Sequence, residues 1–526
     1  MLKDGTFDFG FYDCFNRSAT KSLRSYFGRV EEGNDQDYRT PLFDGRPREE
    51  VLSEWSKILE PKLAGMEGLL DFENQLREKV GPLSIMKPLS ERLDDIDAYY
   101  DAIHLRSKPI SSEAISQLVK TMGSKISGLR LKNPVTTWES MKKSTSSGSP
   151  FFSKRSTVID RTFPALVDAR DMSQVCDRPY SMCAILGWRG QEGGPEDDDV
   201  KQRVIWMFPL SANIQELRLY QPLISGCQRF NLVPAWNGND YVDEEVTLLF
   251  DTKKKDDVII CTDFDKFDHH FNADMQSCAL AVLDGIFTHS SDFDAWKELV
   301  YPIKYAIPLA YKFGEIRQGR HGMASGSGGT NADETLSHKA LQIEAAITSH
   351  AELNPHSMCL GDDGILTYPG IKLDHVLESY MSHGQEMNES KQSVSKTECT
   401  YLRRWHSSEY RVNGVCRGVY STYRALGKLM GQERFYNPDE WGPEMVVMRS
   451  LSIIENCRWH PCKEEFLQFC VKGDKFRLGL DIPGFFENLE KRFESSELAQ
   501  SFGSYTEGGV RGINSWWVVN ALKAMR

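Results

Sequence analysis

Ser357-Met358-Cys359-Leu360-Gly361-Asp362-Asp363-Gly364-Ile365-Leu366-Thr367-Tyr368 reads as strand, tight turn, strand. Apolar residues flank both sides, and Gly361 and Gly364 bracket two adjacent carboxylates, supplying the backbone freedom that a short hairpin turn needs. Two acids at a hairpin tip repel each other, and an isolated hairpin gains nothing from them. They make sense when a divalent cation sits between them and another acid. Mg²⁺ and Mn²⁺ are hard ions that take carboxylate oxygens, and paired metals stabilise both the attacking and the leaving oxygens of a phosphoryl transfer. On the tripeptide alone an ordinary Asp-Gly turn is the better reading. The rest of the chain reverses it.

Upstream, Val258-Ile259-Ile260-Cys261-Thr262 is a short β-prone run, expected as a buried strand, ending in Asp263-Phe264-Asp265-Lys266-Phe267-Asp268. An acid at the end of a strand is well placed to bind metal together with Asp362. Asp268, five residues on, falls just past a turn at the edge of the same site. There its short carboxylate could accept a hydrogen bond from a sugar hydroxyl, or support a residue that does. Asp265 is expected to point elsewhere. A polar loop with solvated carboxylates is the bland alternative.

Between the two acidic motifs lies His321-Gly322-Met323-Ala324-Ser325-Gly326-Ser327-Gly328-Gly329-Thr330-Asn331-Ala332-Asp333. It predicts a flexible Gly/Ser loop leading into a helix whose apolar face is Leu336, Ala340, Ile343 and Ile347. Gly326 and its neighbours let backbone approach a nucleic acid closely, and Ser325 and Thr330 offer hydroxyls to ribose or phosphate. No Gly-Lys-Ser/Thr follows, so this is not a Walker A loop, and the dinucleotide fingerprint is missing. A Gly-rich linker is the plain alternative.

Basic patches complete the set. Lys142 to Pro150, with Ser146, Gly148 and Pro150 between hydroxyls and followed by Lys154-Arg155, suits a phosphate backbone. Trp188-Arg189 and Lys201-Gln202-Arg203 flank an exposed acidic tip, Gly193 to Asp199, and Arg203 leads into an apolar strand-like run. Such cations suit triphosphate oxygens. Lys391, after a helix end, is a candidate general acid for a pyrophosphate leaving group. Tyr401-Leu402-Arg403 is a candidate grip on a strand backbone.

Composition bounds the rest. With 526 residues, 40% hydrophobic and 26% charged, the chain is an ordinary globular sequence long enough for two to four packed subdomains. A formal charge of −12 excludes a uniformly basic coat but not a locally basic channel. Twelve cysteines without regular spacing suggest reduced thiols. No run approaches a membrane span and the N-terminus has no signal-like core, so a soluble, non-secreted protein without a membrane partner is expected.

In chain order these residues resemble the motifs of viral RNA-dependent RNA polymerases of the right-hand type. Ser146-x-Gly148-x-Pro150 resembles the template-entry motif G, and Lys201 and Arg203 the NTP-channel motif F. Asp263-x4-Asp268 resembles motif A, and Ser325-Gly326-x3-Thr330-Asn331 motif B. Gly361-Asp362-Asp363 resembles motif C, Lys391 motif D, and Tyr401-Leu402-Arg403 motif E. The ordered set spans residues 146–405, and its wording is most similar to polymerases of small double-stranded RNA viruses, picobirnaviruses first and partitiviruses second. In many positive-strand relatives the motif B asparagine lies further along the helix. Here Asn331 directly follows Thr330.

The resemblance implies an α+β right-hand fold, with an antiparallel palm sheet packed on helices and a hand closed by fingers–thumb contacts. Its parts would be an N-terminal region and fingers (1–215), palm (216–299), a fingers insertion (300–320), palm again (321–415), and a mostly helical thumb and tail (416–526). It implies that Asp263, Asp362 and Asp363 hold two Mg²⁺ ions, with Mn²⁺ able to substitute, and that Lys201 and Arg203 receive phosphates. Asp268 and Asn331, supported by Ser325 and Thr330, would test the ribose 2′-hydroxyl. Ser146, Gly148, Pro150, Arg189, Gly326 and Arg403 would follow RNA. The partners would be template and product RNA, ribonucleoside triphosphates and the viral capsid protein, in the virion interior and host cytoplasm. A reverse transcriptase would carry a bulky aromatic residue where Asp268 stands. A non-catalytic RNA-binding protein with a palm-like shell would have lost one of Asp263, Asp362, Arg203 or Lys391. A zinc module from Cys457, His460 and Cys462 has poor spacing, and buried thiols with a capping histidine suit it better. The tail from Gly508, with Trp516-Trp517, is expected to plug the product channel or support the initiating nucleotide.

Overall fold

The structure, a computed structural model, describes residues 5–439, 441–496 and 512–526. Its backbone separates into two compact units, each assembled from non-contiguous stretches. Residues 5–32, 88–188 and 204–402 make the first, and 33–87, 189–203 and the described residues from 403 onward make the second.

In chain order the strands needed below are β1 (Ala184–Gln191), β2 (Lys201–Met207), β3 (Ile259–Thr262), β4 (Leu309–Lys312), β5 (Glu315–Arg317), β6 (Met358–Leu360), β7 (Asp363–Leu366) and β8 (Ser393–Ser395). One sheet has the order β6-β7-β3-β8 and is antiparallel throughout. Successive strand residues face opposite sides of a sheet, so the unbroken burial of Ile259 to Thr262 means that both faces of β3 are covered. A second sheet has the order β2-β1-β4-β5, with β1 parallel to β4 and β4-β5 a hairpin within residues 300–320.

Among the helices of the first unit, those that bear on the site are α1 (Ser112–Ile126), α2 (Leu210–Arg229), α3 (Ala273–Ile286) and α4 (Thr330–Thr348). The Ser111 hydroxyl caps α1 by accepting the Ala114 N–H, and Asn272 caps α3 by accepting those of Asp274 and Met275. The buried side of α1 repeats every four residues (Ala114, Leu118, Met122, Ile126), the spacing that turns one stripe inward. Helix α4 is different. Leu336, Ala340 and Ile343 are buried as the pattern predicts, but so are Asp333, Glu334, Thr335, Ser337, His338 and Gln342. A helix this polar is buried only where its polar groups find partners.

In the second unit, helices Arg48–Lys62 and Glu67–Arg77 share one apolar core with Thr422–Met430, Pro443–Glu455 and Lys463–Gly473. Trp55 is fully buried there, 5.1 Å from the Phe466 ring centroid, with its indole N–H on Thr422 Oγ1 at 2.8 Å. Glu73 is also fully buried. Its carboxylate accepts from the N–H groups of Thr422 (2.8 Å) and Tyr423 (3.3 Å), from the Ser421 and Thr422 hydroxyls, and from His460 Nε2 (3.1 Å). An acid from one helix thus satisfies the free N–H groups at the start of another. The same contacts dispose of zinc: His460 gives Nε2–H to Glu73 while Nδ1 accepts the Cys462 N–H, so neither ring nitrogen is left for a metal. All twelve cysteines are free and buried.

Of the tail, residues 508–511 lie outside the described residues. From Gly512 it is part of the second unit: helix Trp517–Ala524 buries Val518, Val519 and Leu522, and Glu455 accepts its first N–H groups at 3.2 and 3.0 Å. Among the described residues no helix is long and apolar enough to cross a membrane. Replacing Glu73 by Ala strips one partner from a buried charged network and is expected to cost about 3–5 kcal/mol. Thermal or denaturant unfolding of Glu73→Ala beside Glu73→Gln measures this, and an unchanged midpoint would refute it.

Candidate active site

The register brings the acids together. β7 pairs with β3 as Gly364↔Thr262 and Ile365↔Cys261, and β6 closes on β7 at Leu360↔Asp363. The hairpin turn is therefore Gly361-Asp362, with Gly361 in the left-handed region at φ +58°. One step past the Gly364↔Thr262 pair, Asp263 leaves β3 alongside that turn. Asp263 and Asp362 are exposed and Asp363 is half-buried. One Asp363 oxygen, Oδ2, accepts the Leu402 N–H at 2.8 Å, so a backbone turn fixes this carboxylate.

Helix α4 holds the turn from beneath. Thr335 Oγ1 accepts the Gly361 N–H at 2.9 Å, and His338 Nδ1–H donates to the Gly361 carbonyl at 2.8 Å. Burial pushes the His338 pKa down to about 4, so the ring is neutral and its tautomer is set by that bond. A Cβ on Gly364 would strike the same ring, at 2.6 Å from Cε1, which explains the glycine after the two acids. Gln342 Nε2 reaches the Met358 and Ile365 carbonyls at 2.9 and 3.3 Å.

Opposite, Gln392 holds Asp263 by its backbone, accepting the N–H and donating to the carbonyl, both at 2.8 Å. Lys391 is exposed at the end of the turn Glu389–Lys391. It stands two residues before Ser393, which pairs with Cys261, and so at the level of Asp263. Asp265 belongs to a short ladder with Glu386. Asp268 is half-buried beside Glu334, a buried carboxyl on α4 whose pKa is raised well above the usual range by burial first and then by the charges of Asp268 and Asp362. Asn331 is turned to another partner, its Oδ1 accepting the Trp236 indole N–H at 2.8 Å. Glu334, one turn further along α4, has Oε2 3.4 Å from where Gly361 would carry a Cβ.

The Gly/Ser loop before α4 is not the flexible segment its composition suggests. The Ser325 hydroxyl lies between the Trp206 N–H (3.3 Å) and the Val204 carbonyl (3.4 Å) of β2, and Thr330 Oγ1 donates to the Ala324 carbonyl at 3.1 Å. A Cβ on Gly326 would overlap the Trp206 carbonyl, and one on Gly329 the Tyr220 ring. These glycines are there for close approach. The Ser146–Pro150 segment is seated in the same way: Gly148 donates to Ser146 Oγ at 3.2 Å, and a Cβ at Gly148 would overlap the Phe208 carbonyl.

The other predicted cations lie in the second unit. Lys201 and Arg203 are exposed on β2, and Arg189 is paired with Glu433 at 3.0 Å. Arg403 lies 3.8 Å from Glu192, which also pairs with Arg424. Burial and the neighbouring Arg424 push the Arg403 guanidinium and the Lys428 ammonium below their usual pKa, and Arg203 acts on Arg403 in the same sense. Three cations around one carboxylate, with Arg203 beside them, leave an excess of positive charge that suits a polyanion.

Thr335, His338, Glu334, Gln392, Arg424 and Lys428 are absent from the residues singled out by sequence. The signal for those on α4 was present: Glu334, Thr335 and His338 follow Asn331 at helical spacing on a helix otherwise rich in apolar residues. The donor set suits a hard divalent ion. The described residues form no closed cage of three or more His, Cys, Asp or Glu side chains, and Mg²⁺ is commonly held by one or two carboxylates together with substrate phosphates and water.

This geometry defines the class: a right-hand nucleic-acid polymerase whose palm is the sheet β6-β7-β3-β8. Residues 82–417 match the family described as viral RNA-dependent RNA polymerase. A protein of human picobirnavirus (strain Human/Thailand/Hy005102/-), named potential RNA-dependent RNA polymerase, is 54% identical over 518 residues, covering 96% of this chain and 97% of that one. The crystal structure of the RNA-dependent RNA polymerase of a human picobirnavirus matches with a TM-score of 0.94 at 52% identity, and that of an insertion-loop deletion mutant with 0.92 at 53%. Each covers 98% of both chains. The chain belongs to the viral RNA-dependent RNA polymerases, and its activity is RNA-directed synthesis of RNA.

Replacing His338 by Leu removes the donor to the Gly361 carbonyl, leaving a buried acceptor unpaired at about 1–3 kcal/mol. Nucleotide incorporation should fall about tenfold or more as the acids lose their register, while RNA binding is unchanged. Wild-type turnover from folded His338→Leu would show that the bond is dispensable.

Proposed function

We propose that Asp263 and Asp362, with Asp363 assisting, are the ligands of two Mg²⁺ ions in copying viral RNA for replication and transcription. When bound, the ions lower the pKa of the primer 3′-hydroxyl and neutralise charge on the triphosphate, a role Mn²⁺ also serves. The observation that carries this reading is the register that sets Asp263 beside the Gly361-Asp362 turn. Lys201 and Arg203 receive the β- and γ-phosphates, as their exposure and the polyanion-seeking cluster around Arg203 support. Lys391, level with Asp263, gives its proton to the departing pyrophosphate. Asp268 and Asn331, with Ser325 and Thr330, test the incoming ribose for its 2′-hydroxyl, and the acid at 268 leaves room that a bulky aromatic residue would fill. Ser146, Gly148, Pro150, Arg189, Gly326 and Arg403 line the path of template and product.

The capsid protein is the proposed partner, with synthesis in the virion interior and the host cytoplasm. The support is likeness to picobirnavirus polymerases. The parts proposed from sequence are fingers in 1–215 and 300–320, palm in 216–299 and 321–415, and thumb in 416–526.

The test is incorporation of labelled ribonucleotides on a single-stranded RNA template without primer, in Mg²⁺ and in Mn²⁺, beside Asp362→Ala. Template-length product that is lost by at least about a thousandfold in the variant is expected, since both the metal and the developing charge lose a ligand. Equal product from Asp362→Ala would remove this site from the chemistry.

A further inference from the structure

Glu216 is a carboxyl in the wrong place for simple packing. It lies in α2, fully buried, where an apolar side chain would cost less than a charge taken out of water. Its oxygens are spent on the Gly/Ser loop. Oε2 accepts from the Ser327 hydroxyl, and Oε1 accepts the Gly328 N–H at 3.2 Å. Asn213 and Tyr220, one turn before and one turn after on the same face of α2, complete the grip. Asn213 Nδ2 donates to the Gly326 carbonyl at 3.2 Å and to Glu216 Oε1 at 3.3 Å. Tyr220 donates to Asp333 in the first turn of α4 at 2.7 Å.

Behind them, Lys304 and Asp333 form an ion pair at 3.1 Å with no exposure of either side chain, and Tyr305 adds a second phenol to Asp333 at 2.7 Å. The grip also reaches the other loop. Asn213 Oδ1 accepts from Arg155 at 2.6 Å, and Arg155 Nε donates to the Ser146 carbonyl at 3.3 Å.

We propose that Glu216 is a positioning residue for nucleotide addition: by clasping Ser327 and Gly328 it fixes the loop that carries Ser325 and Thr330. The proposal rests on the reading that Ser325 and Thr330 face the incoming nucleotide. The glycines explain why a clasp is needed. A Cβ on Gly328 would crowd the Leu217 side chain and one on Gly329 would overlap the Tyr220 ring. A loop bearing this many glycines is entropically costly to order, and the buried carboxylate supplies bonds to its N–H and hydroxyl groups that offset the cost.

The experiment compares the full-length wild type with Ser325→Ala, Glu216→Ala, Glu216→Gln and Ser327→Ala. It measures KM and kcat for ribonucleoside triphosphates, the dissociation constant for a single-stranded template, and the melting temperature. Loss of the clasp in Glu216→Ala and Ser327→Ala is expected to raise KM about tenfold with template affinity unchanged. Glu216→Gln, which still accepts from Gly328 and can donate to Ser327, should stay within about threefold. Should Glu216→Ala fail to fold, Ser327→Ala removes the same bond from the loop side and decides alone. A KM unchanged in Ser327→Ala, or Glu216→Gln as impaired as Glu216→Ala, overturns the proposal. An unmoved KM in Ser325→Ala would instead overturn the reading beneath it.

Discussion

The structure of the active site depends on one short seam, where α4 meets the β6-β7 hairpin. Both polar atoms of the Gly361 peptide end are taken by α4, the N–H by Thr335 and the carbonyl by His338. A hairpin tip carrying two adjacent acids is electrostatically unfavourable, and nothing in its own backbone prevents the tip from relaxing away from Asp263. The clamp supplies that restraint. Its cost is visible in α4, a helix buried around its circumference that nevertheless carries polar side chains on several faces, each stable only while its bonds are made.

The same logic runs outward. α4 can clamp the hairpin only if its own start is fixed, and Asp333 in its first turn is held by Lys304, Tyr220 and Tyr305 without exposure to water. An acid near a helix N-terminus is favourable on its own account, and here it also ties α4 to α2 and to the segment after α3. Asp363 is fixed from the other side by the Leu402 N–H, and Asp263 by Gln392. Asp263 and Asp363 are therefore each held by a partner from a distant part of the chain.

That division explains what was legible in the sequence. The acids, the two glycines beside them and the order of the basic patches were readable because they are local signals: a short turn, a strand end, a run of like charge. The antiparallel sheet followed from the resemblance, and β3 lies within one residue of the apolar run Val258 to Thr262. The partners were not readable, because Thr335, His338 and Gln392 matter only through contacts that the fold creates at long sequence separation. Composition misled at one point: Ser325 to Gly329 looks like a flexible linker, and the close approach of β2 and α2 makes it a seated loop. The second unit shows the same limit, since residues 33–87 share a core with helices beyond 403 that no pattern within either stretch foretells.

The charge distribution follows from these two requirements together. A chain of net charge −12 nevertheless concentrates cations in one place rather than coating itself with them. Arg403, Arg424 and Lys428 are kept together around Glu192, with Arg203 close enough to act on Arg403, at a cost seen in the depressed pKa of Arg403 and Lys428. Exposed acids elsewhere limit non-specific adsorption of nucleic acid, so attraction is strongest where the cations converge. In the first unit the carboxylates at 263 and 362 are left exposed. Such acids repel a bare phosphate chain, and a divalent cation reverses the sign of that interaction.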